Sequence, residues 1–80
     1  MKVCEAFTKR LDFYLVERNI SLYKLAKDAC VPLSTLQNFY RRHSNSPTLS
    51  LLYKITTALN ITVAEFLDCE YFSPELLEIY

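Results

Sequence analysis

The sequence predicts an all-α domain, and three observations carry that prediction. The 80 residues contain no glycine and only three prolines, so the Asn-Gly turns that join paired strands are absent. No stretch alternates apolar and polar residues in the way that a half-buried strand requires. Apolar residues recur instead at helical spacing, and they make up 51% of the chain, which is enough for one small packed core.

Capping residues divide the helical patterns into five helices and a short sixth one. Ser or Thr precedes four of the patterns as an N-cap, and Asn follows two of them in a position suited to left-handed backbone. The expected N-caps are Ser21, Thr48, Thr62 and Ser73, and the expected helix ends are Asn19 and Asn60. The predicted helices span residues 5–18, 22–29, 33–42, 49–59, 63–67 and 74–79.

The inward side of each predicted helix defines the expected core. It comprises Phe7, Leu11, Tyr14, Leu15, Leu22, Leu25, Ala26, Ala29, Leu36, Phe39, Tyr40, Leu49, Leu52, Ile55, Leu59, Val63, Phe66 and Leu67. The three cysteines, Cys4, Cys30 and Cys69, are far apart and show no metal-ligand spacing. We expect them to be reduced and to serve as small hydrophobes.

Charge is unevenly distributed along the chain, although the formal net charge is zero. Residues 1–54 hold all nine Lys and Arg and four acids, whereas residues 55–80 hold five acids and no Lys or Arg. Such a chain can present a positive surface to a polyanion while it remains neutral overall. An ordinary solvated surface explains the same charges equally well.

The second and third predicted helices form a helix-turn-helix, in which Cys30, Val31 and Pro32 make the break. Two short helices joined by a tight turn are a common unit for reading a DNA groove. With Leu36 and Phe39 inward, the third helix turns four polar side chains outward, and all four can bond base edges or phosphates. They are Ser34, Gln37, Asn38 and Arg41.

At these residues the chain resembles the phage repressor/Cro (XRE-type) helix-turn-helix family. The resemblance rests on three segments: residues 20–39 (ISLYKLAKDACVPLSTLQNF), 46–60 (SPTLSLLYKITTALN) and 61–66 (ITVAEF). The resemblance covers residues 7–68 and implies a five-helix, lambda-repressor-like domain that binds double-stranded DNA, commonly as a homodimer. We therefore expect a helix-turn-helix domain over residues 1–68 and an extension with a short C-terminal helix over residues 69–80.

Carried over by position, the resemblance also implies the DNA-contact residues. Bases would be read from the third helix, over about residues 33–42, and phosphates would be held by two helix starts and the loop before the fourth helix. The base-reading residues that the resemblance implies are Leu33, Ser34, Gln37 and Asn38, and the outward face of the third helix adds Arg41. The phosphate-contact residues are Ser21, Leu22, Tyr23, Arg42, His43, Ser44, Asn45 and Thr48.

The sequence departs from the family pattern at three places. Cys30 stands where a turn glycine is usual, so a non-glycine residue is expected to take a positive φ there. Leu15 and Tyr40 replace an ion pair that often bridges the first and third helices, and we expect the two side chains to touch. The loop at Arg42 and His43 lacks its usual glycine.

Other function classes fit the sequence less well. We expect no enzyme, because His43 has no nucleophile or paired acid near it and no glycine-rich phosphate loop exists. We expect no catalytic residue, metal or cofactor, no membrane contact, and a cytoplasmic location. The alternative function is a partner-binding module of the same fold, of the antitoxin or anti-repressor type, with weak DNA binding.

The extension leaves two possibilities open. It carries Tyr71, Phe72, Leu76 and further apolar residues, more than a short helix can cover by itself. The segment either packs back on the fourth and fifth helices or pairs with the same segment of a second subunit. The second possibility is slightly favoured, since operators are commonly read as two half-sites.

Overall fold

The computed structural model describes residues 2–41 and 46–76. Within these residues the chain forms five α-helices and a short 3-10 helix, with no extended strand. The helices are α1 (Val3–Arg18), α2 (Leu22–Asp28), α3 (Leu33–Arg41), α4 (Leu49–Ala58) and α5 (Val63–Leu67), and the 3-10 helix is Glu70–Phe72. The all-α prediction is confirmed. None of these helices is long and apolar enough to cross a membrane.

Five of the predicted caps are confirmed, three at helix starts and two at helix ends. Ser21, Thr48 and Thr62 each accept a hydrogen bond from the backbone N–H three residues later, at 3.0–3.1 Å. Asn19 and Asn60 both have a left-handed backbone, with φ of 53° and 60°. These short-range contacts fix where α1, α2, α4 and α5 begin or end.

The core is built around aromatic rings from four parts of the chain. Phe66 of α5 is fully buried, and its ring centroid lies 5.9 Å from Phe7, 5.9 Å from Tyr14 and 6.3 Å from Phe72. Phe7 also meets Phe39 edge-on at 5.1 Å. One cluster therefore joins α1, α3, α5 and the 3-10 helix, and it sets the position of α3 relative to α1.

Two expected core residues are exposed. Leu49 is 72% exposed, although it lies on the same side of α4 as the buried Thr56, seven residues later. It belongs to the first turn, where α4 extends beyond the core. Leu67 is 37% exposed, because α5 ends there and only Phe66 points into the core.

The C-terminal segment differs from the expectation in its helix. It forms the 3-10 helix Glu70–Phe72, which ends at Ser73, and residues 74–76 form a turn, so the prediction of a helix capped by Ser73 is wrong for these residues. Phe72 packs against α1 and against Phe66 of α5. Of the expected sixth helix, residues 77–79 lie outside the described residues.

The cysteines differ in their surroundings. Cys4 is 2% exposed, and its thiol donates to the backbone carbonyl of Phe39 at 3.2 Å. Desolvation, with a smaller contribution from the charge of Glu5, raises the pKa of this thiol. Cys69 is partly buried. None of the three cysteines forms a disulfide within the described residues. Cys30 is exposed, so the expectation of a small hydrophobe is wrong for that residue.

Candidate nucleic-acid interface

A helix-turn-helix is formed by α2 and α3. Leu25 and Ala26 of α2 and Leu36 of α3 are at most 2% exposed, and the two helices pack directly against each other. The small side chain of Ala26 allows this close approach. The Ser21 hydroxyl caps the start of α2 by accepting the Lys24 N–H at 3.0 Å.

The turn between the two helices is closed by a pair of backbone hydrogen bonds. Val31 N–H donates to the Ala26 carbonyl at 2.9 Å, and Cys30 N–H donates to the Lys27 carbonyl at 3.2 Å. This is the Schellman pattern, which requires left-handed backbone at Cys30, and φ there is 58°. The expected positive φ is confirmed. Val31 is 8% exposed and closes the core beneath the turn.

The outward face of α3 is polar, as the sequence predicted. Leu36 and Phe39 are buried, whereas Ser34, Asn38 and Arg41 are exposed and Gln37 is half-buried. Among the residues that the structure describes, none of these four polar side chains makes a side-chain hydrogen bond or an ion pair. Their hydrogen-bonding groups are therefore available to a ligand.

The remaining predicted contact residues lie around this face in different states of exposure. Leu33, in the first turn of α3, is half-buried against the core, so only its outer side is accessible. Ser21, Tyr23 and Thr48 are exposed, while Leu22 is half-buried. The expected phosphate contacts at Arg42, His43, Ser44 and Asn45 lie outside the described residues.

The start of α4 lies close to the start of α3. Thr48 lines the same open groove as Pro32 and Thr35. The Thr48 hydroxyl caps α4 by accepting the Leu51 N–H at 3.1 Å. The first backbone N–H groups of a helix have no partner within it, so those of α4 are placed next to α3.

A polar bridge joins α1 to α3, and sequence reasoning missed it. The Tyr40 hydroxyl donates to a carboxylate oxygen of Asp12 at 2.8 Å. Burial, followed by this hydrogen bond and the charge of Asp12, raises the pKa of Tyr40. Leu15 and Tyr40 are both partly buried against the core, which agrees with the expected register, and their direct contact stays a prediction.

Two arginines of α1 have structural roles that the charge pattern did not reveal. Arg10 donates to the backbone carbonyls of Phe66 and Glu65 at 2.8 and 2.9 Å, and Arg18 donates to that of Leu59 at 2.7 Å. They satisfy carbonyls at the ends of α5 and α4. Their guanidinium groups also lie over aromatic rings, with Tyr14 shared between them. These two charges therefore do not belong to a surface formed by α3.

A family of known domains matches most of the chain. The model of the Cro/C1-type HTH DNA-binding domain matches residues 10–71, which include all of α2, the turn and α3. The chain belongs to the Cro/C1-type helix-turn-helix family. No curated protein and no solved structure matches it.

Membership in the Cro/C1-type family gives the four polar side chains of α3 their context. The family consists of DNA-binding domains, and in a helix-turn-helix the second helix is the one that lies in the major groove. At the family level, the protein is therefore a DNA-binding domain of the kind used in transcription regulation.

Proposed function

We propose that the protein is a sequence-specific transcriptional regulator whose α3, as the recognition helix, enters the major groove of double-stranded DNA. The observation that carries this proposal is the outward face of α3, where the side chains of Ser34, Gln37, Asn38 and Arg41 make no hydrogen bond or ion pair with the residues that the structure describes. Buried Leu36 and Phe39 hold this helix rigidly from behind. A fixed helix with a polar outer face is what direct base reading requires.

Each side chain has a chemical preference for particular bases. The amides of Gln37 and Asn38 can pair bidentately with adenine, and the Arg41 guanidinium can do so with guanine. Ser34 can bond to several bases, and the outer side of Leu33 can contact a thymine methyl group. The proposed site thus combines polar readout with one apolar contact.

Phosphate contacts are proposed on both sides of this helix. The capping hydroxyls of Ser21 and Thr48 accept hydrogen bonds from the backbone N–H groups of Lys24 and Leu51. The backbone N–H groups that precede them in each helix, such as those of Leu22 and Tyr23, have no acceptor within the helix and can donate to phosphate oxygens. Residues 42–45 belong to the same proposal, with Arg42 and His43 supplying positive charge.

We also propose that the protein binds its operator as a homodimer. Helix-turn-helix proteins commonly read two half-sites about 34 Å apart, and a two-fold axis relates the subunits. The C-terminal extension is one candidate for the contact between subunits. Removal of the residues after Cys69 also removes Phe72, which packs on Phe66 in the core, so a truncated chain that unfolds without a change of stoichiometry would favour core packing over dimerisation.

The proposal is tested by selecting a preferred duplex from random sequences and then measuring binding of variants to it. Asn38→Ala and Gln37→Ala should each cost about 1–3 kcal/mol on the selected duplex and little on a scrambled one. Arg42→Ala should weaken binding to both duplexes alike and reduce the salt dependence. Thr57→Ala, at an exposed position of α4, is the matched control. It should change neither the affinity for the two duplexes nor the salt dependence of binding.

Two results would contradict the proposal. Equal losses on both duplexes for the Asn38 and Gln37 variants would show that α3 does not read bases. A wild-type chain that selects no duplex at low salt would favour the partner-binding alternative.

A further inference from the structure

An open groove of about 530 Å³ lies along α1. It is lined by Lys9, Asp12, Phe13, Val16, Glu17 and Tyr71. Phe13 is 47% exposed and Val16 is 82% exposed, so two large apolar side chains of neighbouring turns face solvent here. None of the residues that line the groove is a proposed DNA contact.

Two of the three charged residues that line the groove are placed symmetrically about Phe13. Lys9 lies four residues before Phe13 and Glu17 lies four residues after it, so all three share one stripe of α1. At 1.5 Å per residue, the two charged residues are each about 6 Å along the axis from Phe13, on opposite sides. Lys9 makes no ion pair among the described residues, and Glu17 makes only a long one, 3.8 Å from its neighbour Arg18.

A stripe of this kind is complementary to itself. If two copies of α1 pack antiparallel across a two-fold axis near Phe13, Lys9 of each copy lies opposite Glu17 of the other. The two Phe13 rings then meet near the axis, with Val16 beside them. The third charge, Asp12, is already bonded to Tyr40 at 2.8 Å.

We propose that this groove is the surface through which two copies of the chain associate. The proposal deepens the proposed function, because it places the homodimer contact on α1, with Tyr71 of the C-terminal extension at its border. Phe13 and Val16 supply the apolar centre, and the two Lys9–Glu17 pairs set the antiparallel register. The patch is smaller than the roughly 800 Å² per partner of standard interfaces, so we expect weak association, in the micromolar range.

The test uses the self-complementarity of the charges and needs no DNA. Sedimentation of the full chain over a range of concentrations should show a monomer–dimer equilibrium. K9E and E17K should each weaken the dimer by roughly tenfold, because every dimer then holds two like-charged pairs. A mixture of the two variants should recover the association, since a dimer of one K9E chain and one E17K chain restores both attractive pairs.

Two control measurements accompany the sedimentation experiment. K27E changes an exposed lysine outside the groove and should leave association unchanged. Circular dichroism should show that K9E and E17K melt like the wild type, since both positions are exposed.

Several outcomes would overturn the proposal. A wild-type chain that stays monomeric at every concentration is one, and a K9E and E17K mixture that associates no better than either variant alone is another. A chain that ends at Leu76 and associates more tightly than the full chain would show that residues 77–80 cover the groove. Binding of K9E and E17K to a DNA duplex with a single half-site is measured in parallel. Variants that still bind this duplex would leave the proposed DNA-binding function standing even if the proposed dimer surface fails.

Discussion

Replacement of Cys30 by glycine should stabilise the protein. Cys30 holds left-handed backbone at φ 58°, which costs a non-glycine residue about 1–2 kcal/mol. Glycine removes that cost but loses about 0.5–1 kcal/mol more conformational freedom on folding. The side chain of Cys30 is exposed, so little burial is lost. The net gain is about 0.5–1 kcal/mol, or about 2–8 °C in Tm for a domain of this size.

Thermal and urea unfolding of three variants measures this gain. Cys30→Gly should raise both the Tm and the free energy of unfolding, and Cys30→Asn should give part of the gain, because asparagine tolerates this conformation better. Cys30→Ala removes the thiol but keeps the strain, so it should be close to the wild type. If Cys30→Ala stabilises as much as Cys30→Gly, the thiol and not the backbone is responsible, and the reasoning is refuted.

Two further predictions concern contacts made by α1. Arg10→Lys should lose about 2 kcal/mol of stability in urea unfolding, because a single ammonium nitrogen replaces the planar fork whose Nε and Nη2 separately reach the Phe66 and Glu65 carbonyls. A loss as small as that of Lys9→Arg would contradict this role. The raised pKa of Tyr40 means that the folded state keeps a proton that the unfolded chain releases, so this stabilisation falls as pH rises above about 10. Between about pH 9 and pH 11, Tyr40→Phe should therefore lose less stability than the wild type, and equal losses would contradict the Tyr40–Asp12 bridge.

Features that depend on neighbouring residues were predictable from the sequence. The N-caps at Ser21, Thr48 and Thr62 act over three residues, and the left-handed helix ends at Asn19 and Asn60 depend on one residue each. The polar face of α3 follows equally directly, because burial of Leu36 and Phe39 fixes the direction of the other side chains. These local rules were enough to locate the helix-turn-helix.

Features that join distant parts of the chain were not predictable in the same way. Arg10 bonds a carbonyl 56 residues away and Arg18 one 41 residues away, and no periodicity within α1 indicates a partner in α4 or α5. In the sequence, both arginines count towards the excess of positive charge in residues 1–54, which suggested a positive surface. The Tyr40–Asp12 bond spans 28 residues, and its donor was expected to make only an apolar contact.

The exposure of Leu49 has a similar cause. Helical spacing gives the side of α4 on which a residue lies, but not how far the core extends along the axis. Leu49 lies on the correct side, three residues before the half-buried Leu52 and six and seven residues before the buried Ile55 and Thr56. The position of α4 along its own axis is set by packing on α2 and α5. The spacing of apolar residues within α4 gives no information about these contacts.

The central claim is that the outward face of α3 binds duplex DNA, and backbone amide shifts in an NMR titration with a short duplex test it most directly. At low salt the account predicts the largest changes at Ser34, Gln37, Asn38 and Arg41, with smaller ones at the starts of α2 and α4. These changes should fade as salt is raised. Changes confined to α1 and Tyr71, with α3 unaffected, would contradict the claim.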